Sequence, residues 1–324
     1  MKTETKSQII EFIKKNKSSR PHDLVNFLQI TPAAVHRHLK KLVLSGIIKK
    51  IGAPPHVYYA LAEPIFSQTN TPQLNNVGFE NYLYISPTGE MHNGVDGFQA
   101  WAKSVKEEPR LHQLIEEYKK IQRESNHFFK LGVINATERL QNVFGAIELD
   151  KVFYLDFYSL PKFGKTKLGQ LVLHGKQAQN KKIIRNVAEI INEQISKICT
   201  REKIEAIAWV PHSLPRKLQF LKEIEQILNL PYPQIHIVKT FSGQVIVAQK
   251  TLSKLEDRIK NASETMMVKE MSLKYKNVIL IDDAVGSGAT LNEAAKKLKE
   301  KGVRKVIGLA IVGSYKGFEV IKEV

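Results

Sequence analysis

The chain has 324 residues, 43% of them hydrophobic, which is enough for two or three domains with an ordered core. No run approaches the ~20 consecutive apolar residues of a membrane helix, and the charged start MKTETKSQII does not resemble a secretory signal peptide. Cys199 is the only cysteine, which excludes an intrachain disulfide framework and a multi-cysteine zinc site. We therefore expect a cytoplasmic protein without a membrane partner.

The charge balance is strongly basic. Lys and Arg number 49 against 32 Asp and Glu, a formal net charge of +17. Such a protein tends to bind polyanions, but the excess alone does not distinguish nucleic acid from an anionic membrane surface or a phosphorylated small molecule. The position of the cations along the chain is therefore more informative than their number.

Residues 1 to about 62 predict three short helices followed by a β-hairpin. Thr31 suits the N-cap and Pro32 the first position of the third helix, which extends to about Ser45. Two β-prone runs on either side of Gly52–His56 predict the hairpin. The apolar face of the third helix is predicted to consist of Val35, Leu39, Leu42 and Val43, and the outward face of His36, Arg37, Lys40 and Lys41.

The strings TPAAVHRHLKKLVLSGIIKK and VYYAL closely resemble the winged helix-turn-helix regulator family. The resemblance implies that the third helix enters the major groove of double-stranded DNA while the wing contacts phosphates. Because such modules usually bind two-fold symmetric sites, it also implies a homodimer. The alternative is a winged helix used for protein contact, with a solvated basic face. The candidate DNA-binding residues are Thr31, Ala33, His36, Arg37, Lys40, Lys41, Lys49 and Lys50.

The middle of the chain gives few functional signals. Residues 63–76 have the composition of a linker, and residues 77–150 form an α+β region to which the sequence assigns no role. Within it, Phe79–Ile85 alternates like a strand and Gly97–Gln122 is mostly helical. The string Gly164-Lys165-Thr166 suggests a P-loop, but Ser159 stands where that motif requires its first glycine, so we reject the P-loop.

The C-terminal domain, placed at residues 151–324, contains the clearest chemical motif. Asn277–Ile281 is a continuous apolar run typical of a buried parallel strand, and a small-residue loop and a helix from Leu291 to Lys301 follow it. Open α/β sheets bind ligands at the carboxyl ends of such strands. Small residues let backbone N–H groups approach a phosphate, and the paired carboxylates Asp282 and Asp283 can accept hydrogen bonds from two ribose hydroxyls. The rival interpretations are a carboxylate site for Mg²⁺, a dinucleotide fold and a tight turn with two solvated acids.

The string VILIDDAVGSGATL resembles the phosphoribosyl pyrophosphate (PRPP) signature of type I phosphoribosyltransferases. The resemblance implies an α/β fold with an open, mostly parallel sheet flanked by helices. It also implies PRPP or a related phosphoribosyl ligand, with Mg²⁺ carried by PRPP rather than held directly by the protein. Gly286 stands where a threonine is common in the family. The residues matched to the ligand are Asp282, Asp283, Ala284, Val285, Gly286, Ser287, Gly288, Ala289 and Thr290.

Two further segments resemble the ComF-type branch of this family. The loop from Pro211 to Lys217 lies where the family binds pyrophosphate, and its candidate residues are His212, Ser213, Arg216 and Lys217. The string KTFSGQVIVAQKTLSKLEDRIKN resembles the mobile loop, with Gln249, Arg258 and Asn261 at the family's positions. If the domain is catalytic, the candidate residues are Asp282, Asp283, Arg216, Lys250 and Arg258. The family's arginine-glycine-phenylalanine-asparagine segment is replaced by Gln219–Lys222, and a winged helix stands in place of its four-cysteine module.

Two functions remain open on the sequence. The first is a PRPP-responsive transcriptional regulator, which resembles the purine-operon repressor type in joining the same two modules. The second is an active phosphoribosyltransferase that transfers phosphoribosyl from Mg-PRPP to a nitrogen acceptor. The basic winged helix favours the first, and the intact carboxylate pair is compatible with both.

Overall fold

The computed structural model describes residues 2–45, 47–53, 55–62, 78–240, 247 and 251–315. The chain divides into two compact units, Met1–Leu74 and Asn75–Val324. The predicted linker at 63–76 lies outside the described residues. None of the described helices combines the length and the hydrophobicity needed to span a bilayer.

The first unit packs helices against a small antiparallel sheet. Thr31 caps the third helix, because its Oγ1 accepts a hydrogen bond from the N–H of Ala34 at 3.3 Å. The predicted burial of Val43 is wrong: it lies at the edge of the stripe formed by Val35, Leu39 and Leu42 and is 37% exposed. The described elements are α1 (Lys2–Asn16), β1 (Ser18–Ser19), α2 (Pro21–Leu28), α3 (Pro32–Leu44), β2 (Ile48–Ala53) and β3 (His56–Leu61).

The second unit alternates strands and helices, which is the pattern that produces parallel sheets. Its described elements are β4 (Leu83–Ile85), β5 (Met91–Asn93), α4 (Gly94–Ser104), a 3-10 turn (Glu108–Arg110), α5 (Leu111–Asn126), β6 (Phe129–Lys130), β7 (Val133–Asn135), α6 (Thr137–Phe144), β8 (Lys151–Phe157), β9 (Ser159–Leu160), β10 (Gly164–Lys165), α7 (Lys167–Gln177), α8 (Lys181–Arg201), β11 (Ala206–Trp209), α9 (Phe220–Leu228), β12 (Gln234–Ile235), β13 (Ile237–Lys239), α10 (Leu255–Thr265), β14 (Met266–Val268), β15 (Asn277–Val285), α11 (Ala289–Glu300) and β16 (Lys305–Gly313).

Seven of the described strands form the central sheet, in the order β12-β11-β15-β16-β8-β7-β6. The strands from β12 to β8 are parallel, and β7 and β6 extend the sheet in antiparallel fashion. Alternate residues of β15 face two separate cores. Ile279 and Ile281 pack with α7, α8 and α9, whereas Val278 and Leu280 pack with α10 and α11. This arrangement confirms the predicted fold class of an open, mostly parallel sheet flanked by helices.

Several element boundaries differ from the predicted ones. The segment Gly97–Gln122 is mostly helical, as predicted, but the 3-10 turn containing Pro109 divides it between α4 and α5. Only Leu83–Ile85 of the run Phe79–Ile85 is a strand. Strand β15 continues through the acidic pair to Val285, since its backbone still pairs with β16 there.

Candidate functional site

The acidic pair lies on β15 near the carboxyl end of the parallel sheet. Asp282 is 9% exposed, and its Oδ1 accepts a hydrogen bond from the backbone N–H of Asp283 at 2.8 Å. The backbone around the pair is held by the sheet, with Asp282 opposite Ala310 and Ala284 opposite Val312 of β16. Both carboxylates are therefore positioned by a regular strand rather than by the loop that follows.

The residues from Gly286 to Gly288 lead the chain from β15 into α11. Gly288 has a φ of 82°, in the left-handed region that favours glycine, and it is the N-cap of the helix. Ser287 Oγ accepts a hydrogen bond from the N–H of Ala289 at 3.4 Å. Backbone N–H groups in the first turn of a helix have no partner within it, and together they favour an anion.

All residues from Asp282 to Leu291 line one cavity of about 490 Å³. This volume is within the range of about 300–1,000 Å³ found for small-molecule sites. The other walls come from α7, the loop after β11, α9, β13 and α10. Among the described lining residues, basic side chains outnumber acidic ones.

The loop after β11 contributes most of its predicted residues to this cavity. His212, Ser213 and Arg216 are all lining residues, whereas Lys217 is exposed and lies outside the lining. The Arg216 guanidinium donates a hydrogen bond to the backbone carbonyl of Lys176, which ties the loop to the end of α7. Burial lowers the pKa of His212, and the neighbouring charges of Lys222 and Lys239 lower it further.

Lys176 is a lining residue that the sequence did not single out. It lies on the last turn of α7, and its Nζ is 2.7 Å from Asp283 Oδ2. The two side chains are 25% and 13% exposed. Lys176 therefore places a positive charge directly beside the acidic pair.

Asp282 and Asp283 lie close enough to influence each other's ionisation. Burial raises the pKa of Asp282 well above its ordinary value, and the negative charge of Asp283 raises it further. Lys176 and the hydrogen bond from the Asp283 N–H act in the opposite direction but do not cancel the rise. Asp282 therefore takes a proton more readily than an ordinary aspartate, which also lets it donate a hydrogen bond.

The opposite wall of the cavity carries Lys239 and Arg258. Arg258 is 8% exposed, and its Nε donates a hydrogen bond to the carbonyl of Leu252 at 2.7 Å. Lys239 Nζ donates to Asn261 Oδ1 at 3.1 Å, and burial lowers its pKa. Gln249 and Lys250 of the predicted mobile loop lie outside the described residues.

This arrangement combines three kinds of group that a phosphoribosyl ligand needs. The start of α11 offers backbone N–H donors for a phosphate, the acidic pair offers acceptors for hydroxyls, and Lys176 and Arg216 offer positive charge. Within the described ranges, no group of three or more His, Cys, Asp or Glu side chains is arranged to hold a metal ion.

In the first unit, the predicted DNA-binding residues fall on α3 and β2. The N-cap Thr31 is exposed, and so are Ala33, His36, Arg37, Lys40 and Lys41 on α3. On β2, Lys50 is exposed and Lys49 is half-buried. The Arg20 guanidinium, which the sequence did not single out, lies 4.9 Å from the ring centre of Tyr58 on β3 and donates to its hydroxyl. This contact fixes a further cation beside the wing.

Two family models match the chain. The model of the arsR family of bacterial regulatory proteins matches residues 3–50, and the model of the phosphoribosyl transferase domain matches residues 177–317. The second match is to the domain in general, so the ComF-type resemblance remains a prediction.

Solved structures similar to the chain include two named phosphoribosyltransferases. A hypoxanthine phosphoribosyltransferase from Staphylococcus aureus is 12% identical over 44% of this chain and 71% of its own, with a TM-score of 0.26. A hypoxanthine-guanine phosphoribosyltransferase from Bacillus anthracis is 14% identical over 41% of this chain and 68% of its own, also with a TM-score of 0.26. Likenesses this low carry no argument about activity.

The family matches agree with the fold of both units. A region that matches the arsR-family helix-turn-helix is joined to one that matches a phosphoribosyltransferase domain, a combination that fits a DNA-binding regulator with a phosphoribosyltransferase-like domain.

Proposed function

We propose that the protein is a transcriptional regulator whose phosphoribosyltransferase domain binds PRPP and thereby changes the affinity of the winged helix for DNA. The observation that carries the proposal is that Asp282–Leu291, Arg216 and Lys176 line the same cavity, in a chain that also has a DNA-binding module. The proposed function implies a cytoplasmic location, since that is where bacterial DNA lies.

The cavity accommodates the parts of PRPP in a definite order. The 5-phosphate binds the backbone N–H groups of residues 284–290, and the ribose hydroxyls bind Asp282 and Asp283. The diphosphate extends toward Arg216, with His212 and Ser213 on the same loop. Mg²⁺ would be carried by the ligand's phosphates rather than held by the protein, since Asp283 already pairs with Lys176.

Regulation requires PRPP to bind two states of the protein with different affinities. A ligand that binds the DNA-competent and DNA-incompetent states equally shifts nothing, however tightly it binds. We propose that α3 contacts bases in the major groove through Arg37 and Lys40, that Lys49 and Lys50 contact phosphates, and that a homodimer binds a two-fold symmetric site.

A second candidate function is catalysis. The intact pair of Asp282 and Asp283 and the buried Arg258 in the same cavity favour it. The enzyme would transfer phosphoribosyl from Mg-PRPP to a nitrogen acceptor and release pyrophosphate. Steady release of pyrophosphate with ammonia or a nucleobase would establish this activity and exclude a sensor without catalysis.

Calorimetric titration of Mg-PRPP tests the site directly. We expect micromolar binding, about −8 kcal/mol, in the wild type and its loss in Asp282→Asn/Asp283→Asn. The matched control Glu189→Gln/Glu193→Gln removes two carboxylates from the exposed face of α8 and should bind normally. Absence of binding in the folded wild type, or equal binding in the acidic-pair variant, would contradict the proposal.

A further inference from the structure

A second cavity lies at the amino ends of the parallel strands, the end of the central sheet opposite to the acidic pair. It has a volume of about 560 Å³, and its lining includes Lys151, Asn277 and Lys305, the first residues of β8, β15 and β16. The cavity proposed for PRPP (the PRPP cavity) begins on β15 at Asp282, five residues beyond Asn277 and therefore roughly 17 Å away at about 3.3 Å per residue. The two cavities are therefore separate sites.

The floor of the second cavity is organised by Glu202. Its side chain is 4% exposed, and the Nζ atoms of Lys151 and Lys305 lie 2.9 Å and 3.0 Å from Oε2. Burial alone would raise the pKa of Glu202, but the hydrogen bonds from these two lysines hold it below its ordinary value. Glu202 thus holds two lysine side chains in the cavity, and its negative charge offsets part of their positive charge.

Three further cations line the same cavity. The Arg201 guanidinium lies 5.0 Å from the ring centre of Phe153, and its Nε is 3.4 Å from Glu202 Oε1. Lys130 and Lys203 are exposed, and within the described part of the chain neither forms an ion pair. Of the described lining residues, five are basic and only Glu202 is acidic. The carboxyl end of α8 offsets some of this charge, yet a clear positive surplus remains.

Leu131 adds an apolar group to this basic lining. It has a φ of 55° in the turn between β6 and β7, where asparagine or glycine is usually found, and it is 79% exposed. A bulky residue in this conformation is strained, and burial within the described chain does not compensate for it. An exposed leucine beside several cations suits a ligand with both an apolar, planar part and several negative charges.

We propose that this cavity is a second binding site, for a nucleotide whose phosphates contact Lys130, Arg201 and Lys203 and whose base packs on Leu131. The proposal does not depend on PRPP binding. A nucleotide fits better than duplex DNA because the cations line a concave space of small-molecule size rather than a ridge or a flat face.

Calorimetric titration of ATP and of tripolyphosphate at low salt tests this site. Both should bind the wild type, and Lys130→Gln/Lys203→Gln should weaken both by at least about tenfold, since each lost charged contact accounts for about that factor. The control Lys181→Gln/Lys197→Gln removes two exposed lysines from α8 and should bind both ligands normally.

Two further variants separate the parts of the ligand and the two cavities. Leu131→Asn suits the turn and should bind tripolyphosphate normally but ATP several-fold more weakly. Asp282→Asn/Asp283→Asn should leave both affinities unchanged, whereas tighter binding in that variant would place the polyanion in the PRPP cavity and overturn the proposal.

Failure of ATP to bind the wild type, or equal weakening in the α8 control, would also overturn it. Weakened duplex DNA binding by Lys130→Gln/Lys203→Gln without ATP binding would assign the surface to nucleic acid instead.

Discussion

Lys176 Nζ lies 2.7 Å from Asp283 Oδ2, so a cation from α7 lies beside the acidic pair in the cavity that all three side chains line. The same lysine accepts a hydrogen bond from Arg216 through its backbone carbonyl. Lys176 therefore links the two segments that the sequence assigned to the ribose and to the diphosphate. Its positive charge offsets the negative charge of the acidic pair before a ligand binds. It also lines the cavity in which the diphosphate is proposed to bind.

Replacement of this lysine should weaken ligand binding. Lys176→Met removes the charge but keeps an unbranched side chain, and we expect Mg-PRPP to bind about tenfold or more weakly by calorimetry, because a charged contact is lost. Lys181→Met is the matched control, since Lys181 pairs with Glu223 at 3.4 Å and is 72% exposed. Equal affinity in Lys176→Met and the wild type would show that Lys176 has no part in binding.

Gly288→Ala should lower the free energy of unfolding of the second unit and weaken ligand binding in its cavity. The added Cβ would lie 2.7 Å from Cδ2 of the fully buried Leu140, in a backbone with φ of 82°. Gly145→Ala is the control, because Gly145 has φ of 70° with no atom within 4 Å of an added Cβ.

Urea unfolding followed by tryptophan fluorescence measures this effect, since Trp101 and Trp209 both lie in the second unit. Backbone strain alone should cost about 1 kcal/mol of the free energy of unfolding in Gly145→Ala. Gly288→Ala should lose more and bind Mg-PRPP more weakly. Equal losses in the two variants would mean that Leu140 moves aside without cost.

Asp282 should make the second unit less stable as pH rises. Its pKa is raised in the folded state, so its contribution is fully present below the ordinary aspartate pKa and is lost as pH rises through the folded pKa. Asp282→Asn carries no ionisable group at this position. Its melting temperature relative to the wild type should therefore be higher at about pH 9 than at about pH 5. A difference that does not change with pH would contradict the raised pKa.

Lys49 and Lys50 should account for part of the salt dependence of DNA binding. Lys49→Ala/Lys50→Ala should weaken binding and, because both are proposed to contact phosphates, reduce the slope of log affinity against log salt by roughly 2. Lys14→Ala/Lys15→Ala removes the same charge from the exposed face of α1 and should change the slope less. Equal changes in the two variants would show that only the overall charge of the unit matters.

The elements that local chemistry specifies could be predicted from the sequence. The cap Thr31 with Pro32 defines the start of α3, and the uninterrupted run Val278–Ile281 identifies a strand buried on both faces. The acidic pair followed by small residues locates the candidate phosphate loop before α11. These features depend on neighbouring residues, so a single sequence reveals them.

The features that depend on distant parts of the chain could not be predicted. Nothing near Lys176 indicates Asp283, because only the packing of α7 against the central sheet brings them together. The extension of β15 to Val285 depends on pairing with β16 and not on hydrophobicity, since Asp282 and Asp283 interrupt the apolar pattern. The basic cavity around Glu202 likewise draws residues from the starts of three strands and from a hairpin turn.

The most direct test of the central claim is the effect of Mg-PRPP on DNA affinity, measured by fluorescence anisotropy with a duplex enriched from a random library. We expect PRPP to change the affinity of the wild type about fivefold or more. Asp282→Asn/Asp283→Asn should bind the same duplex without responding to PRPP, and Arg37→Ala/Lys40→Ala should bind it weakly under both conditions. Equal DNA affinity with and without PRPP, in wild-type protein that binds PRPP by calorimetry, would contradict the account.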